Sequence, residues 1–176
     1  MAVIEAIETV YLEADVASVT FSSLGSYEHL QIRMSVRDAA ATNRTYLFLR
    51  FNGDTTEGNY SRHWMEGIAT GTAAYASASQ TRIGGIIGSE NTPSAVYSTV
   101  IVDIMDYANA NKNTTAQYLS GLAGSDPVQA NEAVFFGSVL WDNTAAVTSI
   151  SLSDASGMSG DLARGSEFTL YGLNSS

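Results

Sequence analysis

The sequence contains no cysteine and a single lysine, Lys112, among its 176 residues. Without thiols, disulfide bonds, thiolate metal sites and cysteine nucleophiles are excluded. Lysine and arginine together number eight against 18 acidic residues, which gives a formal net charge of −10. Proteins that bind nucleic acid or anionic lipid need basic side chains to neutralise phosphates, so we expect neither as a direct partner.

Long apolar runs and charged side chains are also scarce. No segment approaches the roughly 20 consecutive apolar residues of a membrane-spanning helix, so we expect no membrane insertion. The N-terminus has no basic stretch ahead of an apolar run, so we expect no secretory signal and synthesis in the cytoplasm. Charged residues make up 15% of the chain, against about 25% in a typical globular domain. A surface of Ser, Thr, Asn, Gly and Ala is easily desolvated, which favours contact with other protein.

The dominant pattern is an alternation of apolar and polar residues with a period of two. Residues 29–37 are the clearest case, because every second side chain is apolar. This pattern is typical of a strand with one buried face. Similar runs predict strands at 45–51, 94–107, 134–141, 147–153 and 167–173, and weaker runs predict strands at 18–21, 82–87 and 115–122. Gly, Asn and Ser turn signals separate them, which predicts an all-β, antiparallel, jelly-roll-like β-sandwich.

The composition of four segments predicts their position in the sandwich. Residues 45–51 are apolar on both faces, which predicts a central strand, and residues 134–141 are almost wholly apolar, which predicts deep burial. Residues 67–80 are rich in Gly, Ala, Ser and Thr and are expected to be a long loop or an edge strand. Residues 4–14 fit either a helix face or an extended segment. We favour the extended form, as part of an N-terminal arm over residues 1–16. A single sandwich domain is then expected over residues 17–176.

Catalytic motifs are absent from the sequence. There is no Gly-x-Ser-x-Gly elbow and no phosphate-binding Gly-x-x-x-x-Gly-Lys loop, and only two histidines, His29 and His63, are present. A carboxylate pair could be drawn from Asp54, Glu57, Glu66, Asp103 and Asp106, but a regular strand would place Asp103 and Asp106 on opposite faces, and nothing in the sequence brings two of the five together. We therefore predict no catalytic residues, no cofactor and no enzymatic activity.

One loop offers several oxygen atoms as possible calcium ligands. Asn52, Asp54, Glu57 and Asn59 lie within eight residues of one another, and calcium binds six to eight oxygens of this kind. Their spacing does not follow the helix-loop-helix calcium pattern. An Asn-Gly-Asp sequence is also a good turn, because Asn and Gly tolerate positive φ. We favour the turn and keep the loop as a weak calcium candidate.

Aromatic residues follow this loop at Tyr60 and Trp64, with His63 between them. Aromatic rings beside polar groups can stack on sugars, so the three residues are the best candidates for contact with a glycan. The alternative is that Tyr60 and Trp64 belong to the core, where most aromatic residues lie, and we favour that alternative. Trp141, at the end of an apolar run, is also expected in the core.

Several short phrases occur together in a recognisable order. They are residues 51–55, the Asn-Tyr pair at 59–60, residues 102–109 leading to Lys112, the Leu-Trp pair at 140–141, residues 146–150 and residues 165–172. In this order they resemble a family of jelly-roll proteins from tailed bacteriophages, and the resemblance spans residues 17–173. No catalytic residue set comes with it.

The resemblance implies a role at the virion surface, made in the host cytoplasm. Such domains are trimeric capsid decoration (cement) proteins or receptor-binding domains of tail fibres. Only about sixteen residues precede the first expected strand, which favours a decoration protein bound to the major capsid protein. Ile4, Ile7, Val10 and Tyr11 of the arm are then the expected anchors to a neighbouring subunit. The alternative is a tail or baseplate module that binds host surface glycans through Tyr60, His63 and Trp64.

Overall fold

The computed structural model describes residues 3–40, 45–68, 71–87, 95–123, 132–154 and 160–174. In these ranges the chain forms strands and one short 3-10 turn at Glu57–Asn59, without an α-helix. The strands are β1 (Val3–Tyr11), β2 (Ser18–Phe21), β3 (His29–Val36), β4 (Thr45–Phe51), β5 (Tyr60–Ile68), β6 (Gly71–Ser77), β7 (Arg82–Ile87), β8 (Ser98–Met105), β9 (Thr114–Leu122), β10 (Ala133–Trp141), β11 (Ile150–Asp154) and β12 (Glu167–Asn174).

The strands form two antiparallel sheets that pack face to face. The larger sheet has eight strands in the order β1-β12-β3-β8-β9-β10-β5-β6, and the smaller sheet has four in the order β2-β11-β4-β7. From β2 to β5 the chain alternates between the sheets, and β7 and β11 return it to the smaller sheet between strands of the larger one. Crossing between two sheets in this way is the connectivity of a jelly roll. The predicted all-β sandwich is therefore confirmed.

The core lies between the two sheets and is built from the alternate residues of each strand. Its largest fully buried side chains include Trp141, Tyr60, Tyr118, Phe21 and Phe135. Burial of this apolar surface is the main force that holds the sheets together. Within the described residues, no helix is long and apolar enough to cross a membrane.

The N-terminal segment is extended, as predicted, and it belongs to the larger sheet. Strand β1 pairs antiparallel with β12 along its length, with a bulge between Ala6 and Glu8. Ile7 and Val10 pack against the core, and Leu12 is buried. The segment predicted as an arm that precedes the sandwich is instead an edge strand of the larger sheet, because it pairs with β12 and its Ile7, Val10 and Leu12 contribute to the core.

The structure also tests the predictions for residues 67–80 and for strand β10. Residues 67–80 contain the edge strand β6, one of the two structures expected for them. Strand β10 was expected to be deeply buried, but Val134 and Phe136 are 57% and 51% exposed. Only its alternate residues face the core, since the smaller sheet covers one side of β10. The other side of the larger sheet is open to solvent.

Candidate docking face of the larger sheet

The outer side of four neighbouring strands, β9, β10, β5 and β6, carries no Asp, Glu, Lys or Arg. Strand register and burial assign the outward positions, because buried residues alternate with exposed ones along each strand. We call this surface the uncharged face. Its residues are Thr115, Gln117, Leu119, Gly121, Val134, Phe136, Ser138, Leu140, Ser61, His63, Met65, Gly67, Thr72, Ala74 and Ala76. His63 is its single titratable side chain.

The centre of the uncharged face is apolar. Phe136 lies directly opposite Leu119 on one side and Met65 on the other, so the three side chains form a row across the strands. They are 51%, 49% and 58% exposed, respectively. Large apolar side chains exposed in one contiguous group are typical of a protein interaction site.

A shallow depression of about 430 Å³ lies beside this row. Val134 pairs with Gly121 on one neighbouring strand and with Gly67 on the other, and neither glycine has a side chain to fill the space beside it. Phe136 and Met65 form the adjoining wall, and Glu66, at an inward position of β5, also lines the depression. The face therefore offers a recess that a protruding apolar side chain of a partner could fill.

Polar residues border the uncharged face on the β8 and β3 side. Gln31 donates from Nε2 to Oδ1 of Asp103 at 2.7 Å, and its Oε1 accepts from Nε of Arg33 at 2.7 Å. The Arg33 guanidinium also lies 5.1 Å from the ring centre of Tyr171. An apolar centre with a polar rim is the usual arrangement of a protein–protein interface.

The loop predicted as a weak calcium candidate has partners within the chain. Asp54 accepts hydrogen bonds at Oδ2 from Nε1 of Trp141 and Nδ2 of Asn59, both at 2.8 Å. The bond from Trp141 is the main cause that lowers the pKa of Asp54 to about 2. Asn52 points to another loop, where its Oδ1 accepts from the backbone of Thr148 at 2.7 Å. Asp54 is thus hydrogen-bonded to the indole of the core residue Trp141.

Glu57, the remaining candidate ligand, lies 3.5 Å from the Arg50 guanidinium. Among the described residues, no group of three or more Asp, Glu or His side chains is placed to hold a metal ion.

The three candidate residues for glycan contact do not lie on one side of the larger sheet. Tyr60 is 1% exposed; its hydroxyl donates to the carbonyl of Asp54 at 3.2 Å and accepts from the Phe51 amide at 3.1 Å. His63 lies on the outer side of β5, and Trp64 faces inward, because successive strand residues point to opposite faces. The structure therefore does not bring Tyr60, His63 and Trp64 to one surface.

Trp64 instead belongs to an aromatic cluster at the margin of the larger sheet. Its ring stacks on that of Tyr75, with 5.1 Å between centroids, and the Arg62 guanidinium lies 3.6 Å from its centre. Tyr75 is 43% exposed. The pattern of small residues in β6 gave no reason to single out Tyr75 from sequence.

The predicted anchors of the N-terminal segment divide into two pairs. Ile7 and Val10 are partly buried and pack against the core of their own chain. Ile4 and Tyr11 are 51% and 55% exposed. They remain candidates for contact with another protein at the β1 edge.

A buried pair of acids was not anticipated from sequence. Asp38 is fully buried beside Asp154, and burial is the main cause that raises the pKa of Asp38 to about 7. Asp38 accepts a hydrogen bond from the amide of Ala40 at one oxygen, and its other oxygen has no hydrogen-bond partner among the residues that the structure describes. Asp103 and Asp106 form no such pair, since Asp103 bonds Gln31 and Asp106 bonds Lys112.

No family model matches the chain, and no curated protein matches it in a sequence search.

Proposed function

We propose that this chain is a structural protein of a tailed-bacteriophage virion that stabilises the capsid by binding across major capsid subunits. The resemblance of residues 17–173 to jelly-roll virion proteins suggests the setting. The observation that carries a docking role is the uncharged face, because a chain with a net charge of −10 leaves the outer side of four adjacent strands without a formal charge.

The physical argument rests on desolvation. A charged side chain that loses its water on docking needs a compensating partner. Burying Leu119, Phe136 and Met65 instead lowers the free energy, because apolar surface is removed from water. Four strands spaced about 4.8 Å apart, each with three or four outward residues, cover about 500 Å². Burying this area on both partners removes about 1,000 Å² from water, the lower limit for a specific interface. Several weakly bound copies on one shell would together resist its opening.

The test is binding to capsid shells that lack the decoration protein. Purified chain is incubated with shells, the shells are pelleted, and bound protein is quantified. Phe136→Asp is expected to reduce binding at least tenfold, because it places a charge at the centre of the uncharged face. Thr20→Asp adds the same charge at an exposed position of the smaller sheet and is the matched control. Unchanged binding by Phe136→Asp, or failure of the unmodified chain to bind, would contradict the proposal.

A second candidate function is glycan binding on a tail or baseplate. The stacked pair of Trp64 and the half-exposed Tyr75 favours it, because aromatic rings at a sheet margin can receive a sugar. Binding to host polysaccharide that is lost in Tyr75→Ala and kept in Tyr11→Ala, a similarly exposed tyrosine at the opposite edge, would support this alternative. Absence of binding to any host polysaccharide by the unmodified chain would exclude it.

A further inference from the structure

The two edges of the larger sheet differ in how well they are protected. Strand β1 has a bulge, and it carries Glu5 and Glu8. Bulges and charged side chains are the usual means by which proteins prevent an edge strand from pairing with another chain. Strand β6 pairs with β5 in unbroken register from Gly71 to Ser77 and has no charge, proline or bulge. Among the described residues, no strand pairs with its other side, which presents a row of backbone amides and carbonyls.

We propose that two copies of this chain pair through their β6 strands, antiparallel, to form one continuous sixteen-stranded sheet. Pairing the same strand of two copies requires a two-fold axis, and the residue on that axis lies opposite the same residue of the partner subunit. An axis at Ala74 pairs all seven residues of β6, since Gly71 then faces Ser77 of the partner subunit. Moving the axis by one residue in either direction leaves two positions of the strand unpaired.

Side chains fit this register. On the inner side, Tyr75 faces Ala73 of the partner subunit, so each large ring lies opposite a small side chain. On the outer side, Thr72 faces Ala76 of the partner subunit, and Ala74 faces its counterpart. No two like charges are opposed, which matters because like charges directly across a strand pair are destabilising.

The two-fold axis is perpendicular to the sheet, so it keeps the uncharged faces of both copies on the same side. The dimer therefore doubles the docking surface without covering it. The pairing itself depends only on β6 and does not require the proposed capsid role. The resemblance implies a trimer, whereas the β6 edge favours a two-fold assembly.

Strand pairing alone buries little surface, so a weak dimer is expected. Seven residues per strand give about six to eight hydrogen bonds and about 500 Å² of buried area, below the usual size of a tight interface. Sedimentation of the full chain from about 1 to 500 µM should show a shift from monomer to dimer that stops at two copies.

The absence of cysteine makes the register directly testable. In Ala74→Cys, the Cβ atoms of the two introduced cysteines would lie about 5 Å apart across the two-fold axis. Mild oxidation should then trap a covalent dimer. In Ala76→Cys, the corresponding atoms would lie about 14 Å apart, and little dimer should form. Equal crosslinking at positions 74 and 76 would overturn the proposal.

Charge variants supply an independent readout. Ala74→Lys places two like charges across the axis, and it should weaken dimerisation at least tenfold. Ala6→Lys makes the same change at an exposed position of β1 and should leave the dimer intact. Each variant is checked for an unchanged β-sheet circular dichroism spectrum. A chain that stays monomeric at the highest concentration, or one that Ala6→Lys disrupts equally, would refute pairing through β6.

Discussion

Replacing Asp38 with asparagine should remove a pH dependence of stability that the buried acid pair imposes. Desolvation, with the neighbouring Asp154, raises the pKa of Asp38 from 3.8 to about 7. Because the folded-state pKa exceeds the unfolded one, the stabilising contribution of the proton is fully present below about pH 4. It is lost as the pH rises towards about 7.

The size of this effect follows from the shift in pKa. A difference of about three pKa units at about 1.4 kcal/mol each gives an upper limit of about 4 kcal/mol. The asparagine side chain of the variant would keep a carbonyl oxygen for the Ala40 amide and could donate to Asp154, but burying an amide also carries a penalty. We therefore expect Asp38→Asn to raise the free energy of unfolding at pH 8 by about 2 kcal/mol relative to the unmodified chain.

Urea unfolding, followed by tryptophan fluorescence at pH 4, 6 and 8, measures this difference. The quantity to compare is the variant minus the unmodified chain, because titration of other carboxyl groups then cancels. The difference should grow from pH 4 to pH 8 and become constant above it. If the difference has the same value at pH 4 and pH 8, the folded-state pKa of Asp38 is not raised and the reasoning fails.

Two further substitutions test the packing and bonding of the core. Trp141→Phe removes the Nε1–H donor to Asp54, whose pKa is lowered to about 2. A carboxyl group with a lowered pKa stabilises the fold only while it is ionised. The free energy of unfolding of the variant should therefore fall less than that of the unmodified chain between pH 4 and pH 2. Gly137→Ala should lower the free energy of unfolding by about 2 kcal/mol, because its Cβ would lie 2.6 Å from the Tyr118 ring, whereas Gly58→Ala, with no atom within 4 Å, should change it by less than about 0.5 kcal/mol.

Alternation along the strands explains why the fold could be predicted from sequence. Residues 29–37 place Leu30, Ile32 and Met34 on one side, and the structure buries all three. A period-two pattern gives the face of a strand directly. It does not give its neighbours, so the pairing of β1 with β12 and the extent of the larger sheet could not be derived.

The candidate site was missed for a related reason. Val134 and Phe136 were assigned to the core because strand β10 is apolar at almost every position. Hydrophobicity alone does not distinguish a strand that is covered on both faces from one that is covered on a single face. The three glycan candidates do not share a surface, because Tyr60 is in the core, as favoured from sequence, while His63 and Trp64 point to opposite sides of β5. The Asp38 and Asp154 pair joins residues too distant in sequence for any local motif.

Charge is distributed unevenly between the two ends of the larger sheet, which leads to a prediction about salt. Glu5, Glu8, Glu13 and Asp15 lie in or just after β1, whereas β6 and the uncharged face carry no formal charge. Two copies with a charge of −10 each repel one another, and salt screens that repulsion over about 8–10 Å. Pairing through β6 breaks no ion pair, so dimerisation should strengthen as sodium chloride rises from about 0.05 to 0.5 M. An interface built on salt bridges would weaken instead, and sedimentation equilibrium across that range separates the two.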